Sequence, residues 1–240
     1  MSKFEKTRWV DNQFVQEYRD DAGIYLPYRK QFFEIARSSA RYFQSANQLM
    51  RVLDLGCGDG LFVQELLQSC ETGKVVLLDG SGEMLTSAKK RLAGTNGLEF
   101  VQASFQDLIE GDPLERREFD FIFSSLAIHH LTSEQKGQIY RYALNHLAAS
   151  GLFLNYDVVM APTKELEAWS MFLWRLWIEG HSDQEGAARL RDIPEKYKAN
   201  PDNIPDTLDA QLDLLREIGF GEVDCLYKYG AFSIFGGRRP

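Results

Sequence analysis

Val52-Leu53-Asp54-Leu55-Gly56-Cys57-Gly58-Asp59-Gly60 is an apolar strand that runs into a glycine turn flanked by carboxylates. Glycine at 56 and 58 lets the backbone turn sharply and lets a ligand come closer to the main chain than any side chain would permit. A dinucleotide loop needs G-x-G-x-x-G, with its third glycine one place beyond Gly60, and Leu61 stands there. A triphosphate loop needs a Lys-Ser/Thr pair after the glycines, and none follows. Charge agrees with spacing. Two unit charges about 4 Å apart interact by roughly 4 kcal/mol at an effective dielectric of about 20, so Asp54 and Asp59 would repel a pyrophosphate. The turn suits a nucleoside without phosphates, and a cationic one best.

Val75-Val76-Leu77-Leu78-Asp79-Gly80-Ser81 supplies the other half of the site. It is a second apolar strand, ending in an acid about 20 residues beyond the glycines, where a βαβ unit places the acceptor for a ribose diol. Together, Asp54-x-Gly56-x-Gly58-x-Gly60 and Leu78-Asp79-Gly80-Ser81-Gly82-Glu83-Met84-Leu85 resemble the S-adenosylmethionine (SAM) site of the class I methyltransferases. The resemblance implies cofactor contacts from Asp54, Gly56, Cys57, Gly58, Asp79, Gly80, Ser81 and Met84. It also implies an α/β fold with a doubly wound, seven-stranded, mostly parallel sheet.

Composition is compatible with that expectation. A chain of 240 residues, 44% apolar, can bury one α/β core. Its formal net charge of -8 argues against a nucleic-acid surface, which needs clustered Lys and Arg. Cys57, Cys70 and Cys225 have no zinc-site spacing, so no metal is expected, and free thiols suit a reducing compartment. The first residues lack an apolar export segment and no run is long enough to span a bilayer, so the expected location is the cytoplasm, without membrane contact.

Hydrophobic spacing orders the elements. Residues 13 to 44 read as helices broken at Pro27. Strands are expected at 50 to 55, up to Asp79, 98 to 103, 119 to 124 and 151 to 159, with helices from Leu61 to Ser69, from a Ser81 N-cap through Leu92, and from Glu134 to Leu147. Alternation of this kind predicts a parallel, doubly wound sheet. Leu208, Leu212, Leu215 and Ile218 mark a last helix face, followed by two short strands around Gly230. The expected organisation is one domain: a helical cap over 1–45, a SAM-binding core over 46–160, a helical insertion after strand five over 161–205, and a closing helix and hairpin over 206–240.

The resemblance extends into the pocket. Ser104 stands where family members often carry an acid for the adenine amino group, and the backbone N–H of Phe105 would serve ring N1. Ser125, ending the fourth-strand segment, falls where it would meet the methionine moiety. Tyr28, in Tyr25-Leu26-Pro27-Tyr28, matches a tyrosine that covers the cofactor, with ordinary packing as the other reading. His129 and His130 are candidates for proton removal, since a pKa near ~6.5 suits base chemistry at neutral pH, or they simply fix their loop. In the insertion, Trp169, Phe172, Leu173, Leu176 and Trp177 form a helical stripe with Met171 and Trp174 nearby. It is either core packing or an aromatic roof in which Trp169, Trp174 and Trp177 meet the substrate. Arg175, Arg189, Arg191, Lys196 and Lys198 are candidates to recognise a substrate carboxylate, or a solvated face.

These residues lead to a SAM-dependent methyltransferase acting on an O, N or C atom of a small molecule, as a monomer or homodimer. Two alternatives stand beside it. One is a SAM-binding regulatory protein without catalysis. The other is a carboxy-SAM-type or tRNA-modifying enzyme of the same fold, since parts of the chain also resemble enzymes that use carboxy-SAM to modify tRNA. Those carry an arginine in the late insertion, where this chain reads Pro194-Glu195-Lys196-Tyr197-Lys198.

Overall fold

The structure, a computed structural model, describes Thr7, Trp9, Asp11, Gln16 and residues 21–44, 48–115 and 117–240. Most of 13 to 20, read from sequence as helical, lies outside these. Seven strands form one sheet: β1 (Met50–Leu55), β2 (Thr72–Asp79), β3 (Leu98–Gln102), β4 (Phe119–Ser125), β5 (Leu147–Val158), β6 (Gly221–Tyr229) and β7 (Phe232–Arg238). Their order is β3-β2-β1-β4-β5-β7-β6, parallel except for β7, which runs antiparallel to β5 and β6. Strand order reverses between β1 and β4, which pair directly through Asp54 with Phe123 and Leu55 with Ser124. A crevice therefore opens beyond the carboxyl ends of these two strands.

Alternation along each strand builds two apolar layers. Val52, Phe121, Phe123 and Tyr156 face one layer, with Phe62 of α2 (Leu61–Leu67) and Phe32, Phe33 and Ala36 of α1 (Arg29–Phe43). Leu53, Leu55, Ile122 and Phe153 face the other layer, which α5 (Ser133–His146) and α9 (Leu208–Ile218) cover with Ile139, Tyr140 and Leu215. Of the other two helices, α3 (Gly82–Arg91) adds Leu85 and Ala88 to the first layer and α4 (Phe105–Glu110) adds Leu108 to the second. Pro27 does separate a helical stretch at 21–25 from α1. β5 starts at Leu147 rather than at 151, and α4 was not expected, although Ser104-x-x-Asp107 is a capping-box signature: Ser104 Oγ accepts from the Asp107 backbone and Asp107 caps Ser104 in return.

The insertion after β5 comprises α6 (Lys164–His181), α7 (Gln184–Leu190) and α8 (Ile193–Ala199). The apolar stripe read from sequence is not its inner face. Trp169, Phe172 and Leu176 are exposed, whereas Met171, Trp174 and Ile178 are buried. Both faces of α6 are apolar, and tertiary bonds make the choice. The Trp174 indole N–H donates to the Tyr25 carbonyl at 2.6 Å and that of Trp177 to the Ile24 carbonyl at 2.9 Å. Asp21 is paired with Arg189 of α7. The insertion thus pins residues 21–25 beside the crevice. Its far end is fixed too, because fully buried Lys136 on α5 donates to Asp206 Oδ2 at 2.8 Å and to the Ile204 carbonyl.

Candidate active site

At the end of β1 the chain makes the glycine turn, and the amides of Gly56 and Cys57 both donate to the Leu78 carbonyl. Gly56 has φ +71°, and a Cβ there would lie 2.6 Å from the Ala127 Cβ, with the Phe105 ring behind it. Gly58 has φ +55° and open space, its nearest obstacle being Met84 Sδ at 4.0 Å. The first glycine is thus required by packing, and the second leaves room above the backbone for a ligand. A pocket lies over this turn, with Asp54, Gly56, Cys57, Gly58, Met84 and Ser125 among its walls. Six of the residues expected from sequence are thereby brought together. On the opposite side, Ala22, Arg29 and Phe33 close it. Arg29 was not foreseen.

Asp79 stands just beyond the turn. Its Oδ2 accepts from the Gly58 amide at 2.9 Å and its Oδ1 from the Ser81 amide at 2.8 Å, so the carboxylate braces both sides of the crevice. Each oxygen keeps a further lone pair for a hydroxyl. Burial raises its pKa, and the two amides oppose that shift. Gly80 follows directly, and Ser81 caps α3 by accepting from the Met84 amide. The Ser104 hydroxyl donates to Asp107 at 2.7 Å and caps α4, a role the sequence reading did not assign to it. Phe105 is the first residue of α4, and a first-turn amide has no partner inside its own helix.

Asp54 is the unusual acid. It is 1% exposed and neither carboxylate oxygen has a hydrogen-bond partner. Burial, then the charges of Asp79 and Asp59, push its pKa well up. A buried carboxylate without donors costs on the order of several kcal/mol, so the group holds a proton unless a cation completes it. Asp59, read from sequence as a second free acid, is ion-paired: Arg91 bonds both its carboxylate and its carbonyl. With Asp59 bound to Arg91, Asp54 and Asp79 are the acids at the turn that disfavour an anion. The Cys57 thiol is driven well above its usual pKa, chiefly by burial, and is not a nucleophile.

Four sequence-based assignments change position. Tyr28 packs against Trp177 and Tyr229, with ring centroids 4.5 and 4.7 Å away, rather than lining the pocket. None of Trp169, Trp174 and Trp177 is among the pocket walls: Trp169 is 52% exposed, and Trp174 is 3% exposed against Phe232 and Tyr197. Arg175, Arg189 and Arg191 pair with Glu195, Asp21 and Asp192. His130 has both nitrogens engaged. Nε2 accepts from Trp9 at 3.2 Å, so Nδ1 carries the proton and donates to the Asp202 carbonyl at 3.0 Å.

Burial first, and then the neighbouring His129, lower the His130 pKa to about 3, which removes it as a general base. The unfolded chain would protonate this group near pH ~6.5. Between that value and about 3 the unfolded state binds the extra proton, so this contribution is present above the unfolded pKa and is lost as pH falls. Denaturation of wild type and His130→Gln between pH 7.5 and 5 is expected to show their stability gap shrinking towards acid. A gap independent of pH would contradict the assignment.

His129 is held differently. Its amide donates to Asp157 Oδ2 at 2.9 Å and its Nδ1 lies 2.6 Å from Asp157 Oδ1, both groups being buried. The carboxylate also accepts from the Val158 amide at 2.9 Å. Nδ1 thus carries the proton, and Nε2 is the basic nitrogen. The Ile204 amide donates to the His129 carbonyl, tying the insertion to the turn after β4.

Comparison with known proteins agrees with this geometry. Residues 52–151 match the family model described as a methyltransferase domain. The chain is 25% identical over 199 residues to a carboxy-S-adenosyl-L-methionine synthase of Helicobacter pylori, covering 82% of this chain and 78% of that protein. It is 28% identical over 166 residues to the malonyl-[acyl-carrier protein] O-methyltransferase of Legionella pneumophila, covering 67% and 55%. The solved structure of PigF with SAH superposes with a TM-score of 0.62 at 13% identity, over 96% of this chain and 60% of that one. The fold is that of the class I methyltransferases. The methyltransferase-domain match runs from β1 into β5, over the strands that carry the glycine turn and Asp79. Among the described residues no helix is long and apolar enough to cross a membrane.

Proposed function

We propose that the chain transfers the methyl group of SAM to an oxygen, nitrogen or carbon atom of a small molecule, with the cofactor in the pocket over the glycine turn. The supporting observation is Asp54, a buried carboxylate with two unpartnered oxygens at the pocket wall, which fits a cationic nucleoside and no phosphate. In this reading Asp79 accepts the ribose hydroxyls, Gly56, Cys57 and Gly58 give the cofactor backbone contact, Met84 flanks it, and Asp54 and Ser125 meet the methionine arm. Gly80, Ser81 and the Phe105 amide complete the nucleoside side. Bound SAM supplies an electrophilic methyl group on a good leaving group. The protein's part is alignment and exclusion of water. For an acceptor that must lose a proton, His129 Nε2, set by Asp157, is the candidate base.

Turnover of SAM to S-adenosylhomocysteine (SAH) with a panel of small acceptors tests this. Turnover with tRNA alone, or none with any acceptor, would favour one of the rivals. The carboxy-SAM reading draws support from the Helicobacter pylori relative. Against it, the late insertion offers no inward cation: on α8, Lys196 and Lys198 are exposed, while Tyr197 turns in towards Trp174 and His129. Ordinary SAM and a small-molecule partner remain the better-supported reading, with a cytoplasmic location expected and the oligomeric state open.

A further inference from the structure

Leu166, Trp169, Phe172 and Leu176 follow one another at steps of three, three and four residues, so they form one stripe along the outer face of α6. Leu166 and Leu176 are 46% exposed, Phe172 50% and Trp169 52%, while Met171, Trp174 and Ile178 of the same helix are buried. The inner face alone attaches the helix, through that packing and the indole bonds of Trp174 and Trp177. Single exposed apolar side chains are ordinary, but four in a row, two of them aromatic, have the composition of an interface core. Charge argues against a lipid surface as the occupant, because the chain carries a net charge of -8 and Glu165 and Glu179 are exposed on this helix.

We infer that this face is the interface of a homodimer, in which α6 packs antiparallel against α6 of a second copy across a two-fold axis. The face is its own complement. An axis crossing the helix near Met171 sets Leu166 of one copy opposite Leu176 of the other, Trp169 opposite Phe172, and Lys164 opposite Glu179, each contact occurring twice. Lys164 and Glu179 are exposed at the two ends of the stripe, with no ion pair among the described residues, so opposite charges meet in the same register as the apolar groups. Lys164 also offsets its neighbour Glu165 at that contact, and Arg175 beside the stripe is already paired with Glu195. A parallel pairing would instead bring each charge against its own kind. One helix from each copy buries less than the ~1,200 Å² of a standard stable interface, so the dimer forms reversibly, with a Kd of about 10 to 100 µM. The inference does not depend on which nucleoside the pocket holds.

The test is sedimentation equilibrium of the full chain over concentrations from about 1 to 500 µM, where wild type is expected to pass from monomer to dimer. Phe172→Glu places a charge from each copy at the centre of the interface and is expected to raise the dimer Kd at least ~100-fold. Lys164→Glu and Glu179→Lys should each raise it about 3- to 10-fold, and the two changes together should return it to within about twofold of wild type. All three side chains are exposed, and unchanged helix content by circular dichroism shows that the variants are folded. A monomer throughout the range would overturn the inference and leave the face to a different protein or a lipid surface. So would a dimer that Phe172→Glu does not weaken, because another surface would then hold it. A double variant no tighter than the single ones would overturn the antiparallel pairing.

Discussion

Asp79→Ala is expected to lower SAH affinity by about 30- to 100-fold while the protein stays folded. The variant loses the acceptor for two ribose hydroxyls, and a charge-assisted pair is worth about 2 to 3 kcal/mol. It also loses the carboxylate that takes the Gly58 and Ser81 amides, so the glycine turn and the cap of α3 are no longer tied to one group. Both amides lie at the crevice and can turn to water, which keeps the cost on binding rather than on folding. Asp79→Asn retains one oxygen and is expected to lose less. Titration calorimetry with SAH checks this, and unchanged affinity in Asp79→Ala would remove the ribose site from Asp79.

Trp174→Ala is expected to destabilise the protein by about 3 to 5 kcal/mol, through the cavity left by a large buried ring and the loss of its bond to the Tyr25 carbonyl. Trp169→Ala, on the outer face of the same helix, should stay within about 0.5 kcal/mol of wild type. Because Trp174 and Trp177 hold Tyr25 and Ile24, Trp177→Ala should also loosen the segment carrying Ala22 and Arg29 and weaken SAH binding. Denaturant unfolding of the three variants separates these cases. Comparable losses at Trp169 and Trp174 would contradict the assignment of the two faces.

The sheet was legible because each deciding signal is local. An apolar run followed by Gly-x-Gly, a second run ending in Asp79, and Ser81 three residues before Met84 depend on neighbours in sequence. The capping box at Ser104 and Asp107 is equally local, three residues apart in sequence. What sequence did not reveal is set by partners far along the chain. Periodicity cannot choose between two apolar faces of α6 when the choice is made by indole bonds to carbonyls 149 and 153 residues away. Asp59 reads as a free acid until Arg91 folds onto it, and Arg29 reads as one arginine among many until it is seen at the pocket wall while Arg37 and Arg91 are paired. The histidines separate for the same reason, since Trp9 occupies His130 whereas Asp157 orients His129.

The most direct measurement of the central claim is titration calorimetry of SAH, NAD and ATP into the purified wild-type protein. The account predicts one SAH site of micromolar affinity and no saturation by NAD or ATP at concentrations that saturate SAH. Saturation by NAD or ATP in the same range, or no binding of SAH, would contradict it.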